Sequence, residues 1–150
     1  MENSNEITNQ LTLLLGICND GKEGYKNAAS NADSAELKAL FTTYSIQRSE
    51  FAMDLKTCIR QSGGDPDNEK GGPLGALHRT WMDIKTAFTS NDDKAILDAC
   101  ITGEKAAVES YDKALERTDL SPNTRQMLIS QRADISESLR NIENLEHQYA

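Results

Sequence analysis

Apolar residues return at alternating three- and four-residue steps in four separate stretches of this chain, each bounded by clusters of Ser, Asn, Asp, Gly or Pro. That period lays one apolar stripe along one side of an α-helix, and such a helix is stable only when another element covers the stripe. The first stripe is Ile7, Leu11, Leu14, Cys18, Tyr25 and Ala28, with one step to be counted near Gly21 or Lys22, and it predicts a helix over about 5–30. The second is Leu37, Tyr44, Arg48, Phe51, Leu55 and Cys58; Asp33 or Ser34 caps its start, Glu36 favours its positive end, and "SGGDPDNEKGGP" ends it at about 62. The third, capped from "SNDD", is Leu97, Ile101, Glu104, Val108, Tyr111 and Leu115. The fourth follows "TDLSPNT", with Pro122 in its first turn, and carries Leu128, Arg132, Ile135, Leu139, Ile142 and Tyr149. Short breaks join the first helix to the second and the third to the fourth, so each pair is an antiparallel hairpin. Between the hairpins, residues 73–88 place Leu74, Leu77, Trp81, Ile84 and Phe88 on one side, which predicts an additional helix in the crossover.

A chain of 150 residues suits one domain, taken here as 1–150. Three Pro, nine Gly and 5% aromatic residues agree with an all-α class. The 24 acidic against 16 basic residues leave a formal charge of −8, which disfavours nucleic acid and anionic membrane surfaces as partners. The longest apolar run, at 11–18, is far short of the ~20 residues of a membrane span. Three cysteines without CxxC spacing, and an N-terminus lacking the basic and apolar regions of a secretory signal, fit a cytoplasmic setting.

The two halves also repeat. Setting Tyr25 on Tyr111 aligns "YKNA" with "YDKA", and a turn two residues shorter aligns Arg48, Phe51 and Leu55 with Arg132, Ile135 and Leu139. Two related hairpins joined by a long crossover describe the ferritin-like four-helix bundle. The stretches "NDGKEGYKNAA", "LKALFTTYSIQRSEFAMDL", "GALHRTWMDIKTAF" and "GEKAAVESYDKAL" resemble a bacterial family of ferritin-like four-helix-bundle proteins of unknown function. The resemblance covers nearly the whole chain, is weakest over the fourth helix, and implies a fold much more than a reaction.

Metal-binding bundles of this architecture hold two ions with a Glu from each of two helices and a Glu-x-x-His pair from each of the others. The resemblance implies that the single Glu lies seven residues before a Tyr. Glu104 stands so to Tyr111, but Cys18 stands so to Tyr25. The paired motifs read Arg48-x-x-Phe51 and Arg132-x-x-Ile135. Arg has no lone pair for a metal and keeps its charge in proteins. The expectation is therefore a buried polar core: Arg48 and Arg132 neutralised by Glu104, with Tyr25, Tyr111, Gln47 and Gln131 as hydrogen-bonding neighbours. An Arg on such a stripe can instead snorkel to water from the edge of the bundle.

A second candidate site is a displaced carboxylate cluster of Glu23, Glu50, Glu104, Glu109, Asp134 and Glu137, in which Glu50 pairs with Asp134 and Glu23 with Glu109 across the repeat. It would hold two iron or manganese ions and make the chain a di-metal oxidase or storage protein. The leading expectation is instead a non-catalytic, metal-free bundle that acts through protein association, as a homo-oligomer and in stress physiology as the resemblance implies, with no catalytic or cofactor-binding residue. The sequence does not assign a role to His78 and Trp81 on the crossover. Cys18, Cys58 and Cys100 are expected to be buried, inert thiols.

Overall fold

The computed structural model describes residues 2–66 and 92–149. Among them the regular structure is entirely helical: α1 is Glu2–Asn31, α2 Ala35–Gln61, α3 Asp93–Leu115 and α4 Pro122–Gln148. The expected crossover helix over 73–88 lies outside the described residues.

Local chemistry fixes the boundaries. The Ser34 hydroxyl accepts from the Leu37 amide, the Asp92 carboxylate from Lys94 and the Ser121 hydroxyl from Thr124, so each of the last three helices starts on a side-chain cap. Pro122 takes the first turn of α4, where an amide hydrogen would have no helical partner. At the end of α2 the chain turns through Gly63 at φ 90°, a left-handed geometry that glycine adopts without a steric penalty, and the Gly64 amide returns to the Ile59 carbonyl.

The helices pack in a ring. α1 lies against α2 and α3, and α4 against α3 and α2, while the backbones of the diagonal pairs α1/α4 and α2/α3 stay apart. Contacts near the ends give the directions. Thr8 at the start of α1 hydrogen-bonds Ser62 beyond the end of α2. The Asp93 carboxylate at the start of α3 accepts from the Asp33 and Ser34 amides just past the end of α1. Glu6 pairs with Arg117 beyond the end of α3. Each helix is thus antiparallel to both ring neighbours, and the diagonal α2 and α3 are parallel.

The interior falls into two apolar clusters stacked along the ring. One gathers Leu11, Leu14, Leu55, Ile59, Tyr111 and Leu128 among others. The second gathers Tyr25, Phe41, Tyr44, Ile96, Leu97 and Ile142 among others. Six buried residues belong to neither and lie between them in the sequence of the four helices: Gly21 and Gly24, Arg48, Gly103 and Glu104, and Ser138. The step in the first stripe is therefore taken at Gly21. Among the described residues no helix is long and apolar enough to cross a membrane.

Candidate functional site

The layer between the two clusters is built around a charge pair. Arg48 and Glu104 are 1% and 0% exposed. Arg48 Nη1 and Nη2 donate to Glu104 Oε1 and Oε2 at 2.6 and 2.5 Å, a two-pronged match of planar groups that also neutralises both charges. Arg48 comes from α2 and Glu104 from α3, so the pair spans the diagonal that the backbones leave open. The Arg48 Nε donates to Gln47 Oε1 at 3.3 Å, and its guanidinium carbon lies 5.4 Å from the centre of the Tyr25 ring. Tyr25 in turn packs on Phe41 and Tyr44.

A second polar string runs beside the pair. Cys18 Sγ lies 3.2 Å from the Tyr111 hydroxyl, which donates to Gln131 Oε1 at 2.7 Å; Gln131 Nε2 reaches the Phe51 carbonyl at 3.5 Å. The buried carboxamide therefore links α3, α4 and α2 through its two ends.

Burial dominates the titration of this region. It pushes the Cys18 thiol up to about 11, against a smaller opposing effect of the Tyr111 hydrogen bond. Tyr25 and Cys100 are raised well above their ordinary values by burial and then by the Glu104 charge, and Tyr111 by burial and then by Cys18. Burial works against the Arg48 charge, but the Glu104 charge and hydrogen bonds outweigh it and hold Arg48 more firmly protonated than a free Arg. One permanent ion pair thus sits among groups that stay neutral.

Arg132 is corrected: it takes no part in this layer. Its side chain is 37% exposed and its Nε donates to Asp112 Oδ1 at 2.5 Å on the outside of α3. The physical reason is helical phase. The buried stripe of α4 is Leu128, Gln131, Ile135, Ser138 and Ile142, so Gln131 and Ser138 take the interior positions that Arg132 and Leu139 were expected to fill. Tyr149, expected on that stripe, is exposed. Replacing Arg132 by Ala is accordingly expected to cost less than about 1 kcal/mol, the range of solvent-exposed pairs, in equilibrium urea melts.

The displaced carboxylate cluster is also corrected. Glu23, Glu50, Glu109, Asp134 and Glu137 are all exposed, beside the stripes on outward faces, and only Glu104 is interior. Among the described residues no three His, Cys, Asp or Glu side chains are grouped so as to hold a metal ion. Nor does the central layer fit two cations, because both Glu104 oxygens are engaged by a cation that cannot leave, and its other polar members are neutral phenols, thiols, carboxamides and a hydroxyl. Cys18 and Cys100 are buried, whereas Cys58 is only half-buried.

Ser138 was missing from the sequence reading, and Tyr44 and Cys100, expected on an apolar stripe and as a buried thiol, were not assigned to the polar core. Ser138 lies seven residues after Gln131, a spacing that marks one helix face. Tyr44 closes the aromatic side, and its hydroxyl accepts from the Asn141 carboxamide at 3.4 Å. Cys100 lies one turn before Glu104 on the same face.

Comparison with known families places these residues in context. A family model described as a domain of unknown function (DUF2383) matches residues 6–117, which include Cys18, Tyr25, Arg48, Glu104 and Tyr111 and end before α4. No curated protein matches the chain. The chain belongs to the DUF2383 family.

Proposed function

We propose that this DUF2383 member is a ferritin-like bundle whose centre is structural and metal-free, and that it works in the cytoplasm by association with protein chains, its own copies included, rather than by catalysis. Support for the architecture comes from the helix directions: α2 and α3 are parallel on diagonal corners, so their flanking ends at 66 and 92 lie at opposite ends of the ring. One long crossover between two hairpins is the connectivity of ferritin-like bundles. The stress-related role rests on the resemblance of the sequence alone.

The observation that carries the reading is the Arg48–Glu104 pair. Where bundles of this architecture converge carboxylates and imidazoles on metal ions, this chain sets one carboxylate against a guanidinium. The charge is balanced by a side chain, and no open coordination position or base remains at the pair. Association is supported by the outer face of α2, where Ile46 and Met53, seven residues apart, are 56% and 67% exposed. Surface apolar residues aligned on one helix face are a common feature of protein contacts.

Metal analysis of protein purified from iron- and manganese-replete cells tests the central claim. The expected content is far below the roughly two ions per chain of a di-metal bundle. Stoichiometric iron or manganese that disappears in Glu104→Ala would establish the oxidase or storage reading instead. Light scattering tests the association claim: a mass above that of the monomer is expected, and a monomer at all working concentrations would remove self-association.

A further inference from the structure

Cys58 stands apart from the two buried thiols. It lies in the last turns of α2, half-buried, with its Sγ 3.5 Å from Met127 Sδ in the second turn of α4. The Thr124 hydroxyl points at the same sulfur from 3.9 Å. Two soft donors from two helices thus meet at the α2/α4 seam, both packed against the apolar cluster that contains Leu55, Ile59 and Leu128.

We propose that Cys58 and Met127 form a binding site for one soft monovalent cation, Cu(I), with the Cys58 thiolate and the Met127 thioether as its two ligands. Ligand chemistry selects the ion class: thiolate and thioether sulfur favour Cu(I) over the hard cations that carboxylates and carbonyls hold. Charge selects the valence. Binding releases the thiol proton to solvent, and one thiolate, one neutral thioether and one monovalent cation sum to zero, so the complex carries no net charge against the apolar seam. A divalent ion would leave one positive charge there uncompensated. Zinc would in addition seek four ligands, and among the described residues no three His, Cys, Asp or Glu side chains are grouped to supply them.

The geometry is within reach. Metal–sulfur bonds of about 2.3 Å would set the two sulfurs about 4.6 Å apart in a linear complex. The observed 3.5 Å must therefore open by about 1 Å, which the three rotatable bonds of a half-buried Met can supply. Thr124 is the third residue of α4, so the thiolate would lie by the positive end of that helix. In the cation-free protein the thiol and thioether simply hold one another.

Anaerobic titration of the reduced full-length protein with Cu(I), in competition with a chromophoric Cu(I) chelator, tests this. One Cu(I) per chain is expected, lost in Cys58→Ser and bound at least about tenfold more weakly by Met127→Leu, since even residues that only support a ligand commonly contribute that much. Cys18→Ala and Cys100→Ala should retain the parent affinity. The Met127 methyl resonance should move over the first equivalent, and Zn(II) should not displace the copper. Parent affinity in Met127→Leu would reduce the site to a bare thiol and overturn the proposal, as would copper retained by Cys58→Ser or an unmoved methyl signal. The Leu variant nearly conserves volume and keeps the test informative if Cys58→Ser folds poorly. Iron and manganese contents, which test the central layer, are independent of this result.

Discussion

Glu104→Ala is expected to destabilise the fold by about 4 kcal/mol, because it leaves a buried guanidinium with no countercharge. Arg48 cannot shed its proton to escape the penalty. Its remaining partners are a carboxamide oxygen at 3.3 Å and the face of Tyr25, and neither carries a full negative charge. For a domain whose whole stability is on the order of 5–15 kcal/mol, such a loss is a large fraction. The pair itself is a different quantity from the cost of breaking it. Replacing Arg48 by Met and Glu104 by Leu together should recover most of the loss, since hydrocarbon avoids the desolvation that both charges suffer, and it would join the two apolar clusters that the pair divides. Urea melts with an unchanged denaturant slope are the measurement. A Glu104→Ala midpoint within about 0.5 kcal/mol of the parent would mean that water reaches Arg48, and the structural account of the layer would fail.

If the double variant is as stable as the parent, the pair must be retained for something other than net stability, and its position suggests what. The ion pair joins α2 to α3 across a diagonal that the backbones do not bridge. Uniform apolar stripes would tolerate a helix slipped by a turn, whereas a two-pronged pair holds only one register. Specification of register is the best-attested use of buried polar groups in helical assemblies. A double variant with parent stability but broadened side-chain NMR signals would express that role.

How far the sequence could be read depended on whether the deciding interaction was local. Ser34 and Asp92 as caps, and Pro122 in a first turn, are legible because a cap or a proline acts on amides within a few residues of itself. In α3, Cys100, Ala107 and Ala114 are buried while the expected Ile101, Val108 and Leu115 are only half-buried, and in α2 Ile59 is buried while Cys58 is half-buried. Most of the remaining stripe positions of α1, α2 and α3 are legible because apolar residues outnumber alternatives at each step. In α4 they do not. Leu128, Ile135 and Ile142 accept either Arg132 and Leu139 or Gln131 and Ser138 as the intervening members, and both sets keep three- and four-residue steps. Leu139 and the internal repeat favoured the first set. The second prevails in the fold, where the Tyr111 hydroxyl needs a buried acceptor and Gln131 supplies it, while Arg132 finds Asp112 on the exposed side of α3. That choice rests on a contact between residues twenty positions apart, beyond the reach of periodicity along one helix. Arg48 and Glu104 were easier to pair, since two opposite charges on two core stripes each imply a partner. The contact between Cys58 and Met127, 69 positions apart, has no signature in sequence at all.

Between pH 9 and 11 the protein is expected to lose stability steeply without any change in its ion pair. The Cys18 thiol titrates near 9 when unfolded and at about 11 in the fold, where burial is the main cause. Below pH 9 both states hold the proton and the stabilisation is complete. As pH rises from 9 to 11, the unfolded chain releases a proton that the folded chain keeps, so the unfolded state gains and stability falls. A rise of that size corresponds to about 3 kcal/mol for Cys18 alone. Cys100, Tyr25 and Tyr111 are shifted in the same direction, so their losses add with the same sign, beginning near 9 for the thiol and 10 for the phenols. Denaturant melts at pH 7, 9, 10 and 11 read the effect directly. Cys18→Ala lowers stability at every pH by removing packing, but it should fall less from pH 9 to 11 than the parent, and that difference in slope isolates the thiol from the cavity. Parent stability that is flat to pH 11 would mean that the layer admits water, because desolvation is the largest cause raising each of these acids. Arg48 stays charged across the whole range, so an alkaline loss measures how dry the centre is, while Glu104→Ala at neutral pH measures what its charges require.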